Sequence, residues 1–259
     1  MINKIKGSTQ LIGLLGNPVK HSKSPQIHNI AFKVLNLDYA YMAFEVENDF
    51  LKEVVNTFKF LGVLGFNVTM PYKKKIIELL DGVSQDVRIV GSVNTVKNEN
   101  KRLIGHNTDG NGFVKALEEA KVNFQNNKIV LVGGGGAARA IAIQLAFDDA
   151  GEIVIFNRTL KTAEEIADAI NKNICKGRAR ALEINERTLK EELKDSAVLV
   201  NCTSLGMKSS IDKSIVTTPK TLHKDLFVAD IIYEPSKTKL LSIAEEANCM
   251  TMNGLSMLL

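Results

Sequence analysis

Short apolar runs alternate with amphipathic stretches along the first half of the chain. Residues 11–15 predict a strand. Ser24-Pro25 reads as an N-cap followed by a proline at the first helical position, opening a helix to about Leu35. Residues 39–44 predict a second strand, 49–60 a helix and 65–68 a third strand. This β-α-β-α-β order implies a parallel or mixed sheet flanked by helices. In "NVTMPYKKK" (67–75) Pro71 predicts a further helix start. Lys73 then has Ile76, Ile77 and Leu80 at i+3, i+4 and i+7, so it stands above the buried face. Lys74 and Lys75 pair with Glu78 and read as solvated surface.

A second series begins near Lys128. "KIVLV" predicts a strand, "GGGGAARAIAIQLAF" a glycine loop running into a helix, "EIVIF" a strand, and 160–170 a helix. "AVLVN" and "FVADII" are further strands. Their unbroken apolar character marks a sheet covered on both faces. The join lies in "NTDGNG", where turn residues gather before a helix of about ten residues.

The composition is that of a globular protein: 259 residues, 45% hydrophobic and 24% charged, with a formal net charge of +4. That charge suits small anionic ligands, and no basic stripe interleaved with aromatics points to nucleic acid. Three cysteines, Cys175, Cys202 and Cys249, read as free thiols of a reducing compartment, so a cytoplasmic location is expected. No apolar run approaches the ~20 residues of a membrane span, and the N-terminus is too polar for a signal peptide. Four histidines without HExxH or CxxC spacing give no metal site.

The glycine loop fits G-x-G-x-x-A at Gly133, Gly135 and Ala138. It directly follows a strand and opens a helix, which is where a backbone approaches a pyrophosphate. The next strand ends in Asn157 and Arg158, where an NAD-binding fold places a carboxylate. A guanidinium there binds a 2′-phosphate bidentately, so NADP(H) is the expected cofactor. Thr159 adds a hydroxyl and Lys161 a further positive charge. In the other half, Ser22 and Ser24 flank Lys23 before a helix and form a candidate carboxylate cradle; equally, Ser24 reads as a plain N-cap. Asn67 and Thr69, two apart at a strand end, share a face and converge with Lys73 on one polar ligand. Asn94 and Asp109 lie in similar settings.

Taken together, G-x-P-x-x-H-S-x-S-P at 16–25, N-V-T-x-P-x-K at 67–73, G-x-V-N-T at 91–95 and N-T-D-G at 107–110 resemble the shikimate dehydrogenase family. So do the glycine loop, "NRT" at 157–159, "NCTSLGM" at 201–207 and "DIIYEPSKTKLL" at 230–241. The resemblance runs from about residue 11 to the end. It implies an α/β fold of two domains, with the site in the cleft between them. One is an N-terminal α/β substrate domain with a mainly parallel sheet, the other a Rossmann-type NADP-binding domain. The expected boundaries are 1–109, completed by 237–259, and 110–236.

The resemblance implies reversible, NADPH-dependent reduction of 3-dehydroshikimate to shikimate in aromatic amino-acid biosynthesis. By its motifs, Ser22 and Ser24 hold the substrate carboxylate. Asn67, Thr69, Lys73, Asn94 and Asp109 hold the ring hydroxyls, and Lys73 and Asp109 form the proton-transfer pair. Tyr233 contacts substrate. Gly133, Gly134, Gly135, Gly136, Ala137, Asn157, Arg158, Thr159, Lys161, Thr162, Ile231 and Gly254 line the cofactor site.

The chain departs from the family pattern at Gln85, where an acidic residue is common, and at Thr162, where an arginine is often found. The family's terminal helix normally continues to a substrate-contacting glutamine about two residues beyond Leu259. A quinate/shikimate dehydrogenase using NAD and a non-catalytic NADP-binding relative are the competing readings. Oligomeric state is open, a homodimer included.

Overall fold

The computed structural model of the chain describes residues 5–207 and 210–259. It divides into two units, residues 1–108 and 109–259. In the first, β1 (Gln10–Gly16), β2 (Tyr39–Glu45) and β3 (Gly65–Val68) form the parallel half of a six-stranded sheet. β4 (Gly82–Val83), β5 (Thr95–Glu99) and β6 (Arg102–His106) complete it in the order β2-β1-β3-β5-β6-β4. β5 is antiparallel to β3 and β6, and β4 is parallel to β6. The β5–β6 hairpin turns through Asn100 and Lys101, both at positive φ (52° and 65°). Among the described residues three α-helices accompany the sheet: α1 (Ser24–Val34), α2 (Leu51–Phe60) and α3 (Gln85–Val90). Leu15, Val55, Phe58, Phe66, Val68 and Tyr72 lie in its main core.

Two local expectations are corrected here. Pro71 does not open an α-helix. Residues 70–74 are turn, followed by a 3₁₀ stretch, Lys75–Leu79. The carbonyl of Lys73, which an α-helix would offer to Ile77, is taken by the Val93 N–H at 2.7 Å, and Ile77 bonds to Lys74 instead. The α-pattern is thereby interrupted. Tyr72 fills the interior, its hydroxyl donating to the Val46 carbonyl at 2.5 Å. Lys73 is half-buried, Lys74 and Lys75 are exposed, and Lys75 bonds to Asn48 at 2.7 Å. Secondly, the N-cap of α1 is Lys23; Ser24 is the first helical residue and Pro25 the second.

The second unit holds α4 (Asp109–Glu119), β7 (Lys128–Val132), α5 (Gly136–Phe147), β8 (Glu152–Asn157), α6 (Leu160–Asn173), β9 (Ala179–Glu183) and α7 (Glu186–Leu193). β10 (Val198–Asn201), β11 (Phe227–Asp230), α8 (Lys239–Glu246), β12 (Met250–Met252) and α9 (Leu255–Leu258) follow. The strand order β12-β11-β10-β7-β8-β9 is parallel in every pairing. Numbered within the unit, this is 6-5-4-1-2-3, the order of the doubly wound dinucleotide fold.

Residues 237–259 therefore do not complete the first domain. β12 pairs with β11, α8 buries Leu240, Leu241, Ile243 and Ala244 in the core beneath the sheet, and α9 packs on α4. An open β11 edge and the apolar stripe of α8 are both satisfied within this sheet. The division falls between Thr108 and Asp109.

Candidate active site

In the first unit β1 ends at Gly16, pressed against the segment after β3. A Cβ on Gly16 would lie 2.3 Å from Thr69 Cγ2. The Thr69 N–H donates to the Leu15 carbonyl (2.9 Å) and the Asn17 N–H to the Met70 carbonyl (3.0 Å). The ends of β1 and β3 thus bring the serine loop and the N-V-T segment to one edge of the sheet. Ser22 Oγ accepts from the Ser24 N–H at 3.2 Å, so Ser22 satisfies a donor at the helix start. The Ser24 hydroxyl plays no capping part, since Lys23 is the N-cap, and it lies beside the phenol of Tyr41.

Asn67 is held on three sides. Its Oδ1 accepts from the Tyr41 hydroxyl at 2.8 Å, and its Nδ2 donates to the Asn94 carbonyl (3.2 Å) and to Thr95 Oγ1 (3.0 Å). Asn94 Oδ1 accepts from the Thr108 N–H (3.0 Å) and from Thr95 Oγ1 (3.0 Å). Asn67, Asn94, Tyr41 and Thr95 therefore belong to one hydrogen-bonded cluster, with the Ser22–Ser24 pair beside its Tyr41 end. Thr69 and Lys73 follow Asn67 directly in the chain, both half-buried.

Tyr41 and Thr95 were not among the expected residues. Tyr41 is 2% exposed, and burial pushes its phenol well above the usual tyrosine range. The available signal was its alternation with Tyr39 and Ala43 on β2: an inward tyrosine requires a partner for its hydroxyl.

In the second unit the glycine loop leaves β7 at the point where strand order reverses, between β7 and β10. Ligands of such sheets bind outside the strand ends at this switch point. Gly133 has φ +130°, and a Cβ there would lie 2.8 Å from the Cys202 carbonyl oxygen at the end of β10. A Cβ on Gly134 would meet Asn157 Nδ2 at 2.7 Å and Thr162 Cγ2 at 2.8 Å. Gly135 differs: its φ is −75°, and a Cβ would meet nothing within 4 Å. The close backbone approach that Gly135 permits is to space outside the protein, as a bound pyrophosphate requires. Gly136 and Ala137 open α5, whose first turn offers free N–H groups to an anion.

Asn157 ends β8 and its Nδ2 donates to the Thr159 carbonyl at 3.0 Å. Arg158 and Thr159 are exposed in the turn into α6 and Lys161 in its first turn, with no carboxylate among residues 157–162. Ile231 and Gly254 are brought together: the Gly254 N–H donates to the Ile232 carbonyl (3.0 Å), and a Cβ on Gly254 would lie 2.0 Å from the Ile231 carbonyl oxygen. Tyr233 follows, half-buried, and Asp109 is the half-buried first residue of α4.

A buried network not anticipated from sequence anchors this end of the sheet. Asp230, 1% exposed, closes β11. It accepts from the Ile232 N–H (3.0 Å), Asn201 Nδ2 (3.1 Å) and the Thr238 hydroxyl (2.8 Å). Burial holds its carboxyl above the usual range, outweighing these three hydrogen bonds, which act the other way. Asn201 Oδ1 in turn accepts from the Thr203 N–H (3.0 Å), and Thr238 caps α8. The loops after β10 and β11 are thus tied together. A carboxylate ending an apolar strand was the available signal.

A doubly wound dinucleotide-binding unit joined to an α/β unit bearing a clustered serine–asparagine site defines a two-domain, nucleotide-dependent enzyme class. Comparison with known proteins narrows it. The family model "Shikimate dehydrogenase substrate binding domain" matches residues 14–96, and "Shikimate / quinate 5-dehydrogenase" matches 115–252. A shikimate dehydrogenase (NADP(+)) of Alkaliphilus metalliredigens is 53% identical over 258 residues, covering 99% of this chain and 90% of the relative. The crystal structure of shikimate 5-dehydrogenase from Listeria monocytogenes, in complex with shikimate and NAD, is 42% identical with a TM-score of 0.94. It covers 100% of this chain and 90% of that one. A shikimate dehydrogenase structure in complex with NADP+ is 41% identical, TM-score 0.90, covering 98% and 87%. The chain belongs to the shikimate dehydrogenase family.

Proposed function

We propose that this protein is an NADP-dependent shikimate dehydrogenase, interconverting 3-dehydroshikimate and shikimate in aromatic amino-acid biosynthesis. The observation that carries this is the 53% identity, over 99% of the chain, to a shikimate dehydrogenase (NADP(+)). The first unit supplies most of the substrate contacts. Ser22 and Ser24 receive its carboxylate, and Asn67, Thr69, Asn94 and Asp109 receive ring hydroxyls. Tyr233 adds a further substrate contact.

The second unit binds NADP(H), and its geometry fits that cofactor: Gly135 faces open space at the helix start, and Arg158 and Lys161 are exposed where a 2′-phosphate would lie. Gly133–Ala137 cradle the pyrophosphate, Asn157 to Thr162 hold the adenosine end, and Ile231 and Gly254 flank the nicotinamide end. When bound, NADPH supplies the hydride to the ketone carbon. The alkoxide so formed needs a proton, and the Lys73 ammonium donates it from Nζ; in the oxidative direction Lys73 accepts it. General acid catalysis of this kind contributes about 10²–10⁴-fold. Three free cysteines fit a reducing, cytoplasmic setting.

The test is the initial rate of shikimate-dependent cofactor reduction, with NADP+ and NAD+ in parallel. Turnover with NADP+ far exceeding that with NAD+ supports the reading. Preference for NAD+, or for quinate over shikimate, would contradict it.

A further inference from the structure

The cluster around Asn67 constrains what that side chain can offer a ligand. An asparagine amide has two N–H donors and two acceptor lone pairs. Here the Nδ2 group has two acceptors in place, the Asn94 carbonyl and Thr95 Oγ1. The Asn94 carbonyl is acceptor-only and also receives the Val68 N–H at 2.8 Å. It therefore demands the NH₂ side of the amide, and Oδ1 must face Tyr41. The phenol then donates to Oδ1, at 2.8 Å. What remains of Asn67 is one lone pair on Oδ1. The Ser24 hydroxyl lies beside the same phenol oxygen. Tyr41 itself is held by packing: its ring stacks on His28 with centroids 4.3 Å apart, and its backbone N–H and carbonyl both bond to the Asn29 side chain.

We propose that Tyr41 is the positioning residue of the substrate site. Its phenol hydroxyl lies between the carboxylate end, at Ser24, and the hydroxyl end, at Asn67, and occupies one Oδ1 lone pair, so that Asn67 turns only the other acceptor lone pair to the ligand. The site then selects a ligand hydroxyl at that place and disfavours a carbonyl oxygen, which would meet a lone pair. This inference deepens the reading of the protein as a shikimate dehydrogenase and rests on it.

Removal of the phenol oxygen leaves Oδ1 half-buried without its donor, so a second lone pair is turned loose in the site while Nδ2 keeps its bonds to Asn94 and Thr95. Asn67 and Ser24 grip the ring equally in the ground and transition states, so the effect belongs in KM rather than kcat. Tyr41→Phe keeps the stacked ring and the backbone bonds to Asn29, so folding is retained. Loss of one such hydrogen bond corresponds to a rise in KM for shikimate of roughly three- to tenfold. KM for NADP+, set in the other unit, stays unchanged.

The experiment measures kcat and KM of the wild type and of Tyr41→Phe with shikimate, 4-deoxyshikimate and 5-deoxyshikimate. Turnover of shikimate by the wild type tests the functional reading on its own, before any variant is compared. The expected result is a raised KM for shikimate at near-constant kcat, with the penalty vanishing for whichever deoxy analogue lacks the hydroxyl that Asn67 accepts. A merely structural tyrosine would penalise all three substrates alike, and that result overturns the proposal. So does a wild-type KM in Tyr41→Phe, or a loss confined to kcat.

Discussion

Gly133 and Gly135 sit two residues apart in one loop, yet their alanine variants should fail in opposite ways. At Gly133 the chain itself needs the space: φ is +130°, and a methyl would lie 2.8 Å from the Cys202 carbonyl oxygen and 2.9 Å from its carbon. Backbone strain of about 1–3 kcal/mol adds to overpacking of about 1–3 kcal/mol. Gly133→Ala should therefore lose roughly 2–6 kcal/mol, a fall in Tm of about 4–24 °C. At Gly135, φ is −75° and nothing lies within 4 Å. Alanine there gains about 0.4–1 kcal/mol by restricting the unfolded chain. It loses a comparable amount because alanine is a poor N-cap.

The net change at Gly135 should stay within about 0.5 kcal/mol, but the methyl would stand where the pyrophosphate approaches. Overpacking of about 1–3 kcal/mol against the ligand means roughly 5- to 150-fold weaker NADPH binding. Thermal melts of both variants, with NADPH titrated by calorimetry into Gly135→Ala, decide the matter. Wild-type NADPH affinity in Gly135→Ala, or equal melting of the two variants, would refute the reasoning.

Two further outcomes follow from the second unit. Arg158→Ala should weaken NADPH by about 10- to 100-fold while leaving NADH unchanged, since a charged bond to a phosphate contributes roughly 1.5–3 kcal/mol; KM values for both cofactors check this. Asp230, whose folded-state carboxyl is raised by burial, binds its proton more tightly folded than unfolded. Its contribution is fully present below the ordinary carboxylate range and is lost as pH rises through the raised value. Denaturant titrations across that window should show the stability of the wild type falling relative to Asp230→Asn, on top of a constant offset of about 1–3 kcal/mol from the mispaired amide. A pH-independent difference would contradict the sign.

The alternation of strands and helices was legible where the signals were local. The glycine loop, the unbroken apolar runs of β7, β8, β10 and β11, and the period-2 pattern of β2 all depend on near neighbours. What escaped depended on distant partners. The helix expected after Pro71 is interrupted by a hydrogen bond from Val93, some twenty residues on. The β5–β6 hairpin turns on Asn100 and Lys101 in the left-handed region, without the glycine that usually marks such a turn. The sequence around 237–259 shows a helix-and-strand pattern but not which sheet edge it serves, and the β11 edge received it.

Among the candidate residues, those carried by motifs were readable. Tyr41 and Asp230 were not, because an inward polar group is explained only by partners that the fold supplies. Ser24, ambiguous as cap or ligand, is not the cap, because Lys23 holds that position and Ser22 takes the Ser24 N–H.

The central claim is that Lys73 moves the proton that completes hydride transfer. The measurement that tests it most directly is turnover of shikimate by Lys73→Ala at saturating substrate, alongside equilibrium binding of NADP+ and shikimate to the same protein. The account predicts a fall in kcat of about 10²–10⁴-fold, with NADP+ affinity unchanged and shikimate affinity altered no more than about tenfold. A near-wild-type kcat with only a raised KM would make Lys73 a binding residue and contradict the account.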